Sequence, residues 1–147
     1  MTLSEKLARA IQLDTISSKA TDERPNVFDR YHDLMAELFP LIHEKCEKTI
    51  INDFSLLYKW AGTDPAIKPK PIILIAHYDV VPIEKSTLNQ WTYEPFSGHT
   101  DETYVWGRGA MDTKVTMISA MEAVERLIKS GFVPKRDIYL AFGHDEE

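Results

Sequence analysis

The stretch Ile138–Glu147, IYLAFGHDEE, decides the fold that we predict for this chain. An apolar run with the composition of a strand ends in a glycine, and a histidine and three acids follow it. Two earlier segments have a similar design, Pro71–Asp79 (PIILIAHYD) and Val105–Lys114 (VWGRGAMDTK). Because sites in α/β proteins form beyond the carboxyl ends of strands, we expect the polar ends of these three segments to converge.

The elements around these segments predict an α/β fold. Pro71–Ala76 is continuously apolar and is expected to be a strand buried on both faces. The clearest helix is expected from about Asp112 to Ser130, and Arg136–Phe142 is expected to be the next buried strand. Strand, long crossover, helix and strand in this order are typical of a largely parallel sheet.

Two helices are predicted in the first third of the chain. Thr2–Asp14 has an apolar stripe at helical spacing and begins with a capping-box pattern. The polar stretch 15–26 is expected to be a loop whose last residue, Asn26, caps the second helix. That helix is expected to end or kink near Phe39, because Pro40 disrupts helical hydrogen bonding.

A hairpin and two irregular connections are predicted next. Lys48–Ile51 and Phe54–Trp60 are expected to be strands that pair around a tight turn at Asn52-Asp53. A turn-rich connection is expected at 61–70, and a long irregular segment at 80–103. Loops of that length inside a compact domain are usually functional.

Composition limits the class of protein. The 147 residues, 44% hydrophobic and 27% charged, are those of one globular domain. A net charge of −6 with dispersed basic residues argues against a nucleic-acid partner. The sequence shows no signal-peptide core and no apolar run of membrane-spanning length, so a cytoplasmic location without membrane contact is expected. The single cysteine, Cys46, excludes an intrachain disulfide and is expected to be a small buried residue.

His77 and Asp79 are the first candidate site residues. Residues two apart in a strand share a face, so His77 can bind a metal while Asp79 holds its other ring nitrogen. The alternative is a polar strand end with a solvated pair. His32 and His43 have no acid or histidine at ligand spacing, and they are expected to be surface or partly buried histidines.

Three acids complete the candidate set. Asp112 follows two glycines and can bridge two cations, although it can equally cap the helix that follows. Lys114 is expected to be a solvated helix residue. The adjacent carboxylates of Glu146 and Glu147 repel each other, and a nearby cation would relieve this repulsion. One of the two can then be a ligand of a metal ion while the other acts as a general base. A charged tail is the alternative. Imidazole and carboxylate ligands without thiolate suit zinc, cobalt or manganese, and a pair of such ions can clamp water and an amide carbonyl.

Four motifs in order carry a family resemblance. They are HYDVVP at His77–Pro82, QWTYEPFSG at Gln90–Gly98, VWGRGAMDTK at Val105–Lys114 and AFGHDEE at Ala141–Glu147. Together they resemble the N-terminal part of the M20 family of metallopeptidases, closest to its carboxypeptidase S and N-acyl-amino-acid hydrolase branch. The resemblance covers nearly the whole chain. It implies a three-layer α/β sandwich in which helices flank a mixed, largely parallel sheet.

The resemblance also implies roles for single residues. His77 is expected to be a ligand of one zinc ion, and Asp79 to orient it. Asp112 is expected to bridge both ions, and the peptide bond after it is often a non-proline cis bond in this family. Glu146 is expected to be the general base and Glu147 a ligand of the other ion. The implied reaction is hydrolysis of an amide bond next to a free-carboxylate amino acid, in a small peptide or an N-acyl amino acid.

The sequence also departs from the family pattern. Thr113 stands where an acid is common, and Val115 and Thr116 stand where small residues are common. A further acidic ligand, a distant histidine and a lid or dimerisation domain are not found in the 147 residues, which are therefore interpreted as the N-terminal portion of a catalytic domain. We expect this portion alone to bind zinc weakly, if at all, and to be inactive.

Two alternatives to a catalytic fragment are considered. The first is a folded, non-catalytic domain that forms homo-oligomers through exposed sheet edges. The second is an unrelated nucleotide-binding domain, which is disfavoured because no glycine-rich phosphate-binding motif follows a strand.

Overall fold

The computed structural model describes residues 1–20, 25–67 and 70–147. Residues 21–24 and 68–69, which belong to two of the predicted loops, lie outside the described part of the chain. The elements in chain order are α1 (Leu3–Ile11), α2 (Val27–Leu38), α3 (Pro40–Lys45), β1 (Glu47–Ile51), β2 (Ser55–Trp60), β3 (Ile72–His77), α4 (Val115–Lys129) and β4 (Ile138–Gly143). Within the described ranges, no helix is long and apolar enough to span a bilayer.

The predicted helix starts are confirmed by their caps. Thr2 forms a capping box with Glu5 at the start of α1. The side chain of Asn26 accepts hydrogen bonds from the first turn of α2, and the backbone N–H of Asn26 donates one to the carboxylate of Asp29. The second helix ends at Leu38, close to the predicted boundary at Phe39, and Pro40 is the first residue of α3. Proline is tolerated at the first position of a helix, where its missing N–H needs no partner.

The sheet is mixed and has the strand order β1-β2-β4-β3. Strand β2 pairs antiparallel with both β1 and β4, and β3 pairs parallel with β4. The predicted hairpin turn is confirmed, since Asn52 and Asp53 both have positive φ. The predicted α/β fold with a mixed sheet is therefore confirmed, while parallel pairing is limited to β3 and β4 in the described residues.

The helices pack on one face of the sheet. Leu56 and Tyr58 of β2 and Leu140 and Phe142 of β4 are buried in a single core with α1, α2, α3 and α4. The alternate residues lie on the opposite face, here called the open face, which includes Leu57, Ile75, Tyr139 and Ala141. The described residues thus supply the sheet and one helical layer of the predicted three-layer sandwich.

The prediction that the strand at Pro71–Ala76 is buried on both faces is wrong. Ile72 to Ile75 are 44%, 54%, 37% and 73% exposed. The reason is topological: β3 is an edge strand, and no described helix covers its open-face side chains. Parallel pairing with β4 nevertheless places the carboxyl ends of both strands side by side, where the candidate site lies.

Candidate metal centre

The carboxyl ends of β3 and β4 position the first candidate residues. His77 is the last residue of β3 and is paired with Gly143 of β4. The acidic stretch that follows Gly143 therefore begins beside the imidazole. The side chain of His77 lies on the open face and is only 12% exposed, so its orientation is restricted by its neighbours.

Asp79 holds one side of the His77 ring. The Nδ1 atom of His77 lies 3.2 Å from the backbone carbonyl oxygen of Asp79 and 3.3 Å from its Oδ1. A proton on Nδ1 is favoured by these two oxygen atoms, which leaves the lone pair on Nε2. The imidazole is thus oriented to offer Nε2 as a ligand atom.

Asp79 also links this ring to the end of β4. Its carboxylate is fully buried, and its Oδ2 accepts hydrogen bonds of 2.9 Å from the backbone N–H groups of both Glu146 and Glu147. Its Oδ1 forms no hydrogen bond within the described residues, and the His77 ring lies beside it. One buried carboxylate therefore positions the histidine and the glutamate pair together.

Three carboxylates surround the second ring nitrogen of His77, Nε2, and that of Asp112 is within hydrogen-bond distance. The Nε2 atom lies 3.2 Å from Asp112 Oδ1 and 3.5 Å from Glu146 Oε2. Ligand atoms of His77, Glu146 and Glu147 all lie within 4.8 Å of one another, a spacing that can hold a metal ion. Asp112 contacts His77 but does not belong to this mutual group. The side chains of Asp112 and Glu146 are 78% and 64% exposed.

Asp112 is not the cap of α4. Lys114 occupies the N-cap position, and no side chain caps the helix there. The π-type turn Ala110–Lys114 carries Asp112 to the site, and the Asp112–Thr113 peptide bond is cis, as the resemblance implies. Gly109 before it has φ +78, and a Cβ there would lie 2.4 Å from a methyl group of Val80, so glycine is needed.

The prediction that Lys114 is solvated is wrong. Lys114 is fully buried, and its Nζ donates hydrogen bonds of 2.9 and 2.7 Å to the carbonyl oxygens of Ala10 and Leu13. Helix ends leave carbonyl groups unpaired, and Lys114 satisfies that of Ala10 in the last turn of α1. Burial lowers the pKa of Lys114 to about 7. The sequence contained a signal for this burial, because Lys114 precedes Met117 and Met121 at helical spacing on the apolar face.

Thr15 is a residue that the sequence analysis missed. It is fully buried, and its hydroxyl donates a hydrogen bond of 2.5 Å to the carbonyl oxygen of Tyr78. Its own carbonyl accepts a 2.9 Å hydrogen bond from the N–H of Val80. Thr15 therefore fixes the backbone on both sides of Asp79. No sequence pattern distinguishes it from the other polar residues of its loop.

His32 and His43 lie outside the candidate site and have other partners. The Nε2 of His32 is buried, 2.9 Å from both the Phe54 carbonyl oxygen and the Tyr78 hydroxyl. His43 is half-buried between Phe39 and Tyr58, and burial lowers its pKa.

Comparison with protein families and curated proteins gives consistent matches. The model of peptidase family M20/M25/M40 matches residues 73–147. A probable carboxypeptidase S-like 2 of Dictyostelium discoideum is 45% identical, over 99% of this chain and 28% of that protein. Carboxypeptidase S of Saccharomyces cerevisiae is 42% identical, over 97% of this chain and 26% of that protein. The N-fatty-acyl-amino acid synthase/hydrolase PM20D1 of Xenopus tropicalis is 31% identical, over 99% of this chain and 28% of that protein. The chain thus spans 26–28% of the length of these relatives.

Solved structures share the fold at low sequence identity. The M20 family metallo-carboxypeptidase Sso-CP2 from Sulfolobus solfataricus superposes with a TM-score of 0.76 and 18% identity, over 99% of this chain and 31% of that one. Human carnosine dipeptidase 1 superposes with a TM-score of 0.71 and 16% identity, over 98% of this chain and 32% of that one. The family model covers just over half of the residues, and the chain therefore belongs to peptidase family M20/M25/M40.

Proposed function

We propose that residues 1–147 are the N-terminal portion of a two-metal catalytic domain that hydrolyses an amide bond next to a free-carboxylate amino acid. The observation that carries this proposal is the arrangement of His77, whose Nδ1 faces the buried Asp79 while Nε2 faces Asp112 and Glu146. A solvated polar strand end does not require a fully buried carboxylate behind it.

The donor atoms fit zinc, and also cobalt or manganese. They are one imidazole nitrogen and carboxylate oxygens, and the one thiol of the chain, Cys46, is buried in the core and away from them. In the proposed assignment His77 would hold one ion, Glu147 would hold the other, and Asp112 would be shared by both. When bound, such ions lower the pKa of water and polarise the carbonyl group of a substrate.

The residues of the chain have separate tasks in this reaction. Glu146 is proposed as the general base, because its exposed carboxylate lies beside His77 and is open to a water molecule. It takes a proton from the attacking water and returns it to the leaving amine. Asp79 holds the tautomer of His77 and anchors the backbone of Glu146 through its N–H.

The relatives support a substrate class. Their names describe carboxypeptidases and an N-fatty-acyl-amino acid hydrolase. Both kinds of substrate present an amide beside an amino acid with a free carboxylate. We therefore propose small peptides or N-acyl amino acids as substrates of the complete catalytic domain.

Residues 1–147 by themselves are proposed to bind zinc weakly and not to turn over substrate. Catalytic zinc normally has three protein ligands. In the proposed assignment each ion has at most two from this chain, including the shared Asp112. The high exposure of Asp112 and Glu146 supports the same conclusion, because little in the described residues holds these side chains in place.

Calorimetry of the metal-free protein with zinc chloride tests the site. We expect weak binding that is lost in His77→Ala and retained in Glu102→Ala, a control that removes an exposed carboxylate outside the site. Equal binding by wild type and His77→Ala would contradict the assignment of His77. Tight stoichiometric binding together with hydrolysis of N-acyl amino acids would contradict the proposed incompleteness.

A further inference from the structure

We propose that His144 is a positioning residue, which holds the glutamate pair that follows it in the chain from the helical face of the sheet. The starting observation is the set of contacts around its ring. The Nδ1 atom of His144 and the Oγ atom of Ser55 lie 2.7 Å apart, within hydrogen-bond distance. The ring also meets the rings of Phe28 and Phe54 edge-to-face, with centroid distances of 6.1 and 5.4 Å.

The side chain of His144 lies on the opposite side of the sheet from the imidazole of His77. Phe142 of β4 is buried in the core with the helices, and side chains two residues apart in an extended chain share a face. The contact of the His144 ring with Phe28 of α2 agrees with this placement. An effect of His144 on the metal centre therefore acts through the backbone.

The segment after β4 is attached to the fold at two points. The N–H groups of Glu146 and Glu147 both donate to Oδ2 of Asp79. These two hydrogen bonds converge on one oxygen atom, so by themselves they allow the segment to rotate about that atom. His144, two residues before Glu146, supplies the second attachment and restricts this rotation. Residues 144–147 belong to no helix or strand, so such attachments determine where the two carboxylates lie.

The start of β2 supports both segments of the candidate site. Ser55 contacts His144, and the carbonyl oxygen of the preceding residue, Phe54, accepts a hydrogen bond of 2.5 Å from the hydroxyl of Tyr78. Tyr78 is the neighbour of His77 in the chain. A histidine that only filled space in the core would need the aromatic contacts but not the polar one. The contact with Ser55 ties the glutamate segment to the same support as the histidine segment.

Amide hydrogen exchange of the metal-free protein in EDTA, followed residue by residue by NMR, tests the positioning. We expect the N–H groups of Glu146 and Glu147 to be protected in wild type and to exchange at least about tenfold faster in His144→Ala, because the polar and aromatic contacts are both lost. The N–H of Val80, which donates to the carbonyl of Thr15, should keep its rate. A general loss of stability would instead accelerate all three amides.

His99→Ala is the matched control. It also removes a histidine ring that packs on an aromatic side chain, since His99 stacks on Tyr93 with a centroid distance of 3.7 Å. This variant should leave the exchange of both glutamate amides unchanged. Unprotected glutamate amides in wild type, equal effects of the two variants, or equal acceleration of the Val80 amide in His144→Ala would each overturn the proposal.

Two milder variants keep the proposal testable if His144→Ala does not fold. Ser55→Ala removes only a hydroxyl group, and His144→Phe keeps an aromatic ring but has no Nδ1 atom. Each should accelerate exchange of the glutamate amides about three- to fivefold. The double variant should show no larger effect than either single variant, because both changes remove the same contact. Effects that multiply in the double variant would refute this contact as the attachment.

Zinc calorimetry separates this inference from the proposed function. The roles of Glu146 and Glu147 rest on that function, under which His144→Ala should bind zinc at least about threefold more weakly than wild type, because supporting contacts tune metal affinity. Faster exchange of the glutamate amides with unchanged zinc binding would support the positioning and contradict the roles assigned to the pair. Unchanged exchange would overturn the positioning, whatever the zinc affinity.

Discussion

The candidate site has a buried half and an exposed half. In the buried half, Asp79 is fully buried and the side chain of His77 is 12% exposed. In the exposed half, the side chains of Asp112 and Glu146 are 78% and 64% exposed. The difference shows that the number of acids near a histidine does not determine how well a site is organised. What orders the buried half is a set of hydrogen bonds reaching it from elsewhere in the fold.

A single segment, residues 10–15 at the end of α1, supports the loops that carry His77 and Asp112. The carbonyl oxygens of Ala10 and Leu13 accept hydrogen bonds from Lys114, two residues beyond Asp112. Thr15 binds the backbone on both sides of Asp79. The two loops that carry the proposed ligands are therefore tied to the same few residues of the N-terminal region, which should set their separation.

The largest effect is expected from Asp79→Ala. This change removes the acceptor of two backbone N–H groups and the partner of the His77 ring. Buried donors left without an acceptor cost about 1–3 kcal/mol, so a loss of about 3 kcal/mol in the free energy of unfolding is expected. Urea denaturation measures it. A loss below about 1 kcal/mol would show that the buried half does not depend on this carboxylate.

A pH-dependent effect is expected from Lys114 in metal-free protein. Burial lowers its pKa from 10.5 to about 7, so between these values the unfolded chain binds a proton that the folded chain lacks. The free energy of unfolding should then rise with pH, by at most about 1.4 kcal/mol per unit. This rise should end near pH 9. Burial raises the pKa of the Cys46 thiol from 9.0 to about 11, so between these values the folded chain keeps a proton that the unfolded chain loses, which lowers the free energy of unfolding as pH rises.

Lys114→Met supplies the control for this effect. The variant has no amine to titrate, so its stability should change less between pH 7 and pH 9 than that of wild type. Thermal unfolding in EDTA at a series of pH values measures both proteins. Parallel pH profiles for wild type and variant would show that Lys114 stays protonated in its buried position.

The sequence predicted which side chains converge better than it predicted what surrounds them. The contacts of His77 with Asp112 and Glu146 agree with the expected convergence of the strand ends, while their roles as metal ligands and general base stay predictions. The exposure of β3 was missed because an apolar run looks the same in a central strand and at an edge, and strand order depends on long-range pairing.

The residues that hold the two loops of the site were missed for a related reason. The contacts of Thr15 with Tyr78 and Val80 join residues far apart in the chain, and a threonine in a polar loop gives no local indication of them. Lys114 was predictable in principle from its place on the apolar face of the following helix.

A smaller effect is expected from Thr15→Val. Valine has the shape of threonine but no hydroxyl group, so the carbonyl of Tyr78 loses its 2.5 Å hydrogen bond while packing is kept. A loss of about 1 kcal/mol in the free energy of unfolding is expected. Thr15→Ser retains the hydroxyl and should recover most of this hydrogen-bond contribution in the same denaturation experiment. Equal losses in the two variants would assign the effect to packing.

The smallest effect on stability is expected from Asp112→Ala, in the exposed half. The Asp112 carboxylate is mostly solvated, and in metal-free protein it stands near Glu146, so its removal relieves repulsion as well as losing the contact with His77. The free energy of unfolding should therefore change by less than about 0.5 kcal/mol. Zinc binding measured by calorimetry should fall in the same variant, because a ligand is lost. A large loss of stability with unchanged zinc binding would make Asp112 a structural residue, and the difference between the two halves of the site would then have another cause.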